Sequence, residues 1–350
     1  MKSSFRADDV TLLLKDITGC IQPLPTRERE HKIQSGTHYS EMLPLEYRPS
    51  EEYIAMYEEA LLLFGQSTAD AVAGVAERII RKKGKGVVLV SLARAGTPLG
   101  VLVKRYIRKK YGIDCPHYSI SIIRDRGIDR NAIRYILERH DPDSIQFLDG
   151  WTGKGVIYRE LRSAIASFPD LSDELAVAAD PAGLTDLCGT HGDIVIPSSC
   201  LNCTVCGLIS RTVLRDDLIG PDDFHGAVYY GELEAEDRTY EFIDGIERLF
   251  RFSPEIPAEQ LQPVSGMEII RGIARQYGIQ DMNYIKPGIG ETTRVLLRRV
   301  PWKLLIDESN RDNHELAHVR QLAREKGVDI EYTELGNYKC CGIIRQLPDV

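Results

Sequence analysis

Residues 145–155, IQFLDGWTGKG, place the carboxylate of Asp149 at the end of an apolar run and follow it with a turn of small residues that opens a helix. Such a turn aims several backbone N–H groups and the positive end of the helix at one point, which suits a phosphate. Gly150, Thr152, Gly153, Lys154 and Gly155 form the turn, and Asp149 stands where it can accept hydrogen bonds from hydroxyls beside that phosphate. A triphosphate-binding P-loop is disfavoured, because Gly150 and Gly153 are too close and Lys154 is followed by Gly155. SLARAGTPLG, residues 91–100, is a second strand-to-helix turn in which Ala93, Ala95 and Gly96 let backbone amides, or Arg94 itself, meet a second phosphate. Two such turns predict a ligand phosphorylated at both ends. Between them SIIRDRGID, residues 121–129, offers Arg124, Asp125, Arg126 and Asp129 to the same site.

A different chemistry is suggested by GDIVIPSSCLNCTVCGLISRTVL, residues 192–214, which reads as a strand running into a helix with Ser198, Ser199 and Cys200 near the helix N-terminus. That placement lowers a thiol's pKa, so Cys200 is a candidate nucleophile with His191 or His225 as its base, although no local peptidase signature surrounds it. The spacing of Cys200, Cys203 and Cys206 also allows an iron–sulfur cluster with Cys188 as a distant fourth ligand. The simplest alternative is three small apolar side chains packing on one helix face. Ser198 and Ser199 would alternatively complete the phosphate pocket through their hydroxyls.

The elements that must hold these residues are strands alternating with helices. SEEYIAMYEEALLLFGQSTADAVAGVAERIIRKKG, from Ser50, carries a capping residue, acids in its first turn and bases before Gly84, and predicts one or two helices. GVVLVSLA, DCPHYSISII and DSIQFLDG predict strands separated by helices, hence a parallel sheet with ligands at the strands' C-terminal ends. ELAVAAD, GDIVIPSS and GAVYYGEL are further strand candidates. The expected division is an irregular N-terminal arm over 1–49, an α/β domain over 50–253, a proline-bearing linker over 254–266 and a smaller αβ domain over 267–350.

Composition sets outer limits. Of 350 residues, 43% are hydrophobic and 27% charged, as in an ordinary globular protein. No run reaches the roughly 18 apolar residues of a membrane-spanning helix, and the N-terminus lacks an apolar signal core. A cytoplasmic location without membrane contact follows as the expectation, with self-association left open. The net charge of −8 disfavours a whole-protein polyanion binder, yet from residue 264 onward 13 Lys and Arg face 12 Asp and Glu, leaving −9 for residues 1–263. Eight cysteines with this clustering do not form a secreted disulfide framework.

The pair LARAGTPLG and FLDGWTGKG, each between strand and helix, resembles the type I phosphoribosyltransferases. That resemblance implies an α/β fold with their type of parallel sheet, and a transferase for phosphoribosyl pyrophosphate and a small nucleobase-like acceptor, with Mg²⁺ near Asp149. It further implies that Asp149 faces ribose hydroxyls, that Thr152, Gly153, Lys154 and Gly155 cradle the 5′-phosphate, and that Ala93, Arg94 and Ala95 lie against pyrophosphate and metal. Gly150 departs from the second acid usual in that family. Residues 30–250 are also similar, through ADPAGLTDLCGTHGDIVIPSSCLN and GLISRTVL, to a bacterial group from tellurite-resistance and stress-response neighbourhoods. Its members carry two names, phosphoribosyltransferase-like and cysteine protease StiP, which are distinct chemistries. The last 85 residues resemble the PELOTA-type RNA-binding fold, an αβα module, and that resemblance implies RNA contact through Lys286, Gly288, Gly290, Glu291, Thr292 and Arg294. Five basic residues against one acid between Lys286 and Lys303 are consistent with such a contact. A third reading is an RNA-associated regulator that senses a phosphorylated ligand without turning it over.

Overall fold

In the computed structural model, which describes residues 1–46, 48–252 and 265–346, the runs rich in β-branched residues become one central sheet. Its strands are β1 (Thr11–Leu12), β2 (Val88–Ala93), β3 (His117–Ile123), β4 (Ile145–Trp151), β5 (Leu175–Ala179) and β6 (Cys188–Thr190). They lie in the order β1-β3-β2-β4-β5-β6, every pair parallel, and the short strand Gly127–Ile128 adds an antiparallel edge to β3. Side chains alternate across the sheet, as a strand's period of two requires. Val88, Val90 and Leu92 pack with Ile133 and Ile136 of α4 (Arg130–Leu137) and Leu161 and Ile165 of α5 (Val156–Ile165). Leu89 and Leu148 join the opposite layer, made by α2 (Glu51–Lys83), α3 (Gly96–Tyr111) and α6 (Thr239–Glu247).

The chain leaves β2 for β3 on one side and returns to β4 on the other, so strand order reverses beside β2. The C-terminal ends of β2 and β4 are therefore where a crevice is expected. The two glycine-bearing turns sit at these ends. Gly96 is needed there, because a Cβ on it would come within 2.9 Å of the Leu148 carbonyl oxygen and 3.0 Å of the Asp149 Cα.

Several expectations need correction. The first 49 residues, read as an extended arm or irregular layer, pack as a layer among the described residues: β1 pairs with β3, and α1 (Thr26–Gln34) carries Glu30, which is buried against Arg299. Asp9 is also buried, and its carboxylate accepts from Arg105 at 2.8 and 2.6 Å. Charge pairing, which apolar periodicity does not register, ties this segment down. GDIVIPSS is not a strand; the strand is Cys188–Thr190, just before it. The expected helix at Cys200 is instead two single 3₁₀ turns, Pro197–Cys200 and Cys203–Val205, separated by the extended Leu201. The single long helix α2 begins as its sequence indicates, with Ser50 Oγ accepting from the Tyr53 N–H at 3.3 Å.

The second domain is a four-stranded sheet, β7 (Ile285–Pro287), β8 (Pro301–Asp307), β9 (Asp329–Thr333) and β10 (Cys340–Ile344), in the order β7-β10-β8-β9. Only β8 and β9 are parallel. Helix α7 (Gly266–Gln276) covers one face with Ile270 and Ile273 against Leu305, Cys341 and Ile343. Helices α8 (Ile289–Arg298) and α9 (Ala317–Glu325) cover the other, where Cys340 lies. The linker expected over 254–266 falls largely on residues 253–264, outside the described residues. Among the described residues no helix is long and apolar enough to cross a membrane.

Candidate functional site: an interdomain cavity and a thiol cluster

The C-terminal ends of β2 and β4 open into a cavity of about 370 Å³ that the second domain roofs. Its wall carries Arg29, Arg94, Arg124, Lys154, Arg211, Lys286, Arg294 and Arg299, against Asp149, Asp281 and Glu291. Some of these cations are neutralised. Arg94 pairs with Glu46 at 3.0 Å and donates to the Ile209 carbonyl at 2.8 Å, Arg299 pairs with Glu30 at 2.6 Å, and Arg294 pairs with Glu291 at 3.0 Å. Lys154 Nζ donates to the carbonyls of Met282 and, at 3.2 Å, Ile285, and burial together with Lys286 pushes its pKa down to about 7. Burial, then Arg29 and Arg94, pushes Arg211 down to about 9. Burial raises Asp149 to about 6, opposed by the Gly150 N–H, which donates to Oδ1 at 2.7 Å.

The structure brings part of the expected set to this wall. Ala95, Arg124, Asp149, Thr152, Gly153, Lys154 and Gly155 all line the cavity, while Ala93 and Gly150 belong to the strand ends and Gly96 opens α3. Asp125 does not join them: it is exposed on a left-handed turn (φ 65°), paired with Arg124 Nε at 2.9 Å. Arg94 is held by Glu46 rather than left open to an anion. Ser198 and Ser199 are buried, and Ser199 lies instead on a small neighbouring crevice with Trp151, Thr152, Asp193 and Gly290. The donor set around Asp149 does not form a Mg²⁺ cage, because its neighbouring carboxylate Glu291 is committed to Arg294 and the surrounding charge is positive.

The turn expected to meet RNA is packed against the first domain. A Cβ on Gly290 would lie 2.5 Å from the Trp151 ring, Thr292 is buried, and Glu291 leans on Gly153. Asp193 explains the seating of Gly288: its carboxylate accepts from the Ile289 N–H at 3.0 Å and the Lys339 N–H at 2.8 Å. The turn approaches its own protein closely where an RNA backbone was expected, and Lys286 and Arg294 point into the shared cavity.

The thiol chemistry also moves. Cys200 is fully buried, burial pushes its thiol up to about 12, and among the described residues no histidine bonds to it. His191 belongs to Cys188: its Nε2 lies 3.5 Å from Cys188 Sγ, while its Nδ1 lies 3.4 Å from Asp180 Oδ2 and 3.2 Å from the Asp180 carbonyl. The other candidate base, His225, is buried with its Nδ1 2.8 Å from Ser121 Oγ. Asp180 is buried and held by the Leu184 and Thr185 N–H groups at 2.6 and 2.9 Å and by the Thr152 hydroxyl at 2.5 Å. Burial nevertheless holds its carboxyl above the ordinary range. Asp180, Cys188 and His191 converge within 4.8 Å, and among the described residues theirs is the one group of His, Cys and acidic side chains compact enough to hold a metal; Cys200, Cys203 and Cys206 form no such cluster. Parallel pairing of β5 with β6, Thr190 opposite Ala179, sets the three side by side. The C-x2-H spacing from Cys188, with Asp180 just upstream, was the available signal.

Fold and site thus define a two-domain α/β protein with a cationic cavity between the domains and a Cys–His–Asp cluster at the end of its sheet. Residues 3–247 match the family model described as tellurite-like stress resistance cysteine protease StiP, and residues 264–346 match that of the PELOTA RNA binding domain. A curated relative from Acinetobacter baylyi, named cysteine protease StiP, is 36% identical over 98% of this chain and 94% of its own length. The chain belongs to the StiP family. These matches overturn the expectation of a phosphoribosyltransferase, since family model and relative alike carry the protease name. Among solved structures, a hypoxanthine-guanine phosphoribosyltransferase from Bacillus anthracis aligns at 12% identity over 35% of this chain and 71% of its own, with a TM-score of 0.25, too slight a likeness to carry fold or function.

Proposed function

We propose that the protein is a cysteine peptidase with Cys188 as nucleophile, His191 as its general base and Asp180 as the group that orients the imidazole. The observation that carries this reading is the convergence of all three side chains: Cys188 Sγ lies 3.5 Å from His191 Nε2 and 3.7 Å from Nδ1, and Nδ1 lies 3.4 Å from Asp180 Oδ2. In the proposed reaction Sγ passes its proton to His191 Nε2 and attacks the scissile carbonyl. The tetrahedral intermediate collapses as His191 returns the proton to the leaving amine, and water, deprotonated by the same imidazole, then hydrolyses the acyl-enzyme. Cys188 is only 1% exposed, so in this reading the chain around it must be displaced before substrate reaches Sγ.

The test uses cleavage of an unfolded protein substrate by full-length wild type, Cys188→Ser, His191→Ala and Cys200→Ser. Cys188→Ser is expected to be inactive, His191→Ala to lose roughly 10²–10⁴-fold in kcat/KM, and Cys200→Ser to retain wild-type activity if it folds. Cleavage that survives Cys188→Ser, or that disappears in a folded Cys200→Ser, would overturn the assignment.

A further inference from the structure

Three acceptors gather around a single nitrogen, His191 Nδ1: Cys188 Sγ at 3.7 Å, Asp180 Oδ2 at 3.4 Å and the Asp180 carbonyl oxygen at 3.2 Å. One N–H cannot satisfy three acceptors, and neither oxygen sits at the roughly 2.9 Å of a well-made N–H···O bond. A cation among the donors would serve all of them at once. Tetrahedral zinc, with bonds of about 2.3 Å to sulfur and about 2.0 Å to nitrogen and oxygen, needs its donors about 3.3–3.6 Å apart. The sulfur–nitrogen and nitrogen–oxygen distances of 3.7 and 3.4 Å come close to that, and all three donor atoms lie within 4.8 Å of one another. Closing the triangle takes a shift on the order of 1 Å.

We infer that Asp180 Oδ2, Cys188 Sγ and His191 Nδ1 form a three-ligand Zn²⁺ site with water in the fourth position. A thiolate, an imidazole and a carboxylate suit this borderline-soft ion, whereas Mg²⁺ and Ca²⁺ require a shell of oxygens. The carboxylate is fixed in advance, since the Thr152 hydroxyl donates to Oδ1 and the Leu184 and Thr185 N–H groups donate to Oδ2, the kind of outer-shell support that metal ligands receive. Asp180 is fully buried, and among the described residues its one ion-pair partner is His191, so a divalent cation would offset a charge that a neutral imidazole leaves uncompensated. The His191 side chain, 10% exposed, gives the ion its side of entry. On binding, the Cys188 S–H bond breaks, its proton leaves to solvent and the sulfur–zinc bond replaces it. The metal then occupies the sulfur and the imidazole together, so the loaded chain is expected to be silent as a protease. That silencing rests on the peptidase reading; the binding does not.

The test titrates full-length protein, stripped with a chelator and kept reduced, with Zn²⁺ by calorimetry and with Co²⁺, its spectroscopic stand-in, by absorption. Wild type is expected to bind a single ion per chain and, with Co²⁺, to show a thiolate-to-metal charge-transfer band beside the strong visible bands of four-coordinate cobalt, while Mg²⁺ gives no heat. Cys188→Ser is expected to lose the charge-transfer band. Thr152→Val keeps all three ligands and removes one support of Asp180, so its zinc affinity is expected to fall roughly 10–100-fold. Cys200→Ser is expected to bind like wild type. The inference fails if wild type binds no zinc, if Mg²⁺ binds equally well, if the band survives Cys188→Ser, or if it disappears in a folded Cys200→Ser. Cleavage followed on the same preparations separates the two claims. Zinc held at Cys188 beside cleavage that survives Cys188→Ser would leave the metal site and sink the peptidase reading, whereas Cys188-dependent cleavage without zinc binding would do the reverse.

Discussion

At the scale of single residues, environment reverses the order in which the cysteines looked reactive. Cys200 stands beside Pro197 in a short 3₁₀ turn without an α-helix to lower its pKa, and burial pushes the thiol up to about 12. Cys188 has a positioned imidazole instead. Asp149 shows the cost of a site carried at a strand end. Its folded pKa, about 6, exceeds its ordinary value, so the folded chain holds a proton that the unfolded chain releases. Stability from this group is present below about pH 4 and is lost as pH rises through about 6. Asp149→Asn is therefore expected to raise the melting temperature at pH 8 by a few degrees, with the gain fading below pH 5. Melting curves of both proteins across that range check it; a variant less stable than wild type at pH 8 would contradict the account. The Asp149 turn was legible in sequence because every residue of it is local. The Cys188–His191 spacing is local as well, but the meeting of that pair with Asp180 was not legible, because it depends on the register of two strands.

At the scale of elements, the alternation of strands and helices announced the parallel sheet, and apolar runs located most of its strands. What escaped was held by polar contacts. The N-terminal segment enters through Asp9 and Glu30, and the Gly288–Gly290 turn docks on Asp193. Composition marked that turn as basic and glycine-rich, which fits a phosphate backbone as readily as a close protein contact. Asp193 joins the domains by accepting two backbone N–H groups. Asp193→Ala would strand both donors in the interface and is expected to cost about 3 kcal/mol, read by urea unfolding of the full-length protein. A loss under about 0.5 kcal/mol, the range of ordinary surface substitutions, would show that the contact is incidental. Its own folded pKa is raised to about 6 by burial, so the wild-type contribution of this carboxyl weakens as pH rises through that value.

At the scale of the whole molecule, the cavity and the thiol cluster share one side chain. Thr152 lines the cavity and donates its hydroxyl to Asp180, the residue proposed to orient His191. The second domain closes over both: Tyr338 donates to the Gly153 carbonyl at 2.8 Å, and Asn337 donates to that of Pro181 at 3.4 Å, at the start of the turn covering Asp180. A C-terminal domain of RNA-binding type thus forms one wall of the first domain's site, an arrangement that no single motif carries in its sequence. The central claim is that Cys188 is the nucleophile, and the most direct measurement is mass-spectrometric mapping of sub-stoichiometric iodoacetamide labelling, followed in parallel with proteolytic activity. The account predicts that Cys20, exposed and remote, labels without effect, that Cys200 stays unlabelled, and that activity falls in step with modification of Cys188. Activity that persists when Cys188 is fully alkylated, or that falls in step with Cys200 instead, would contradict it.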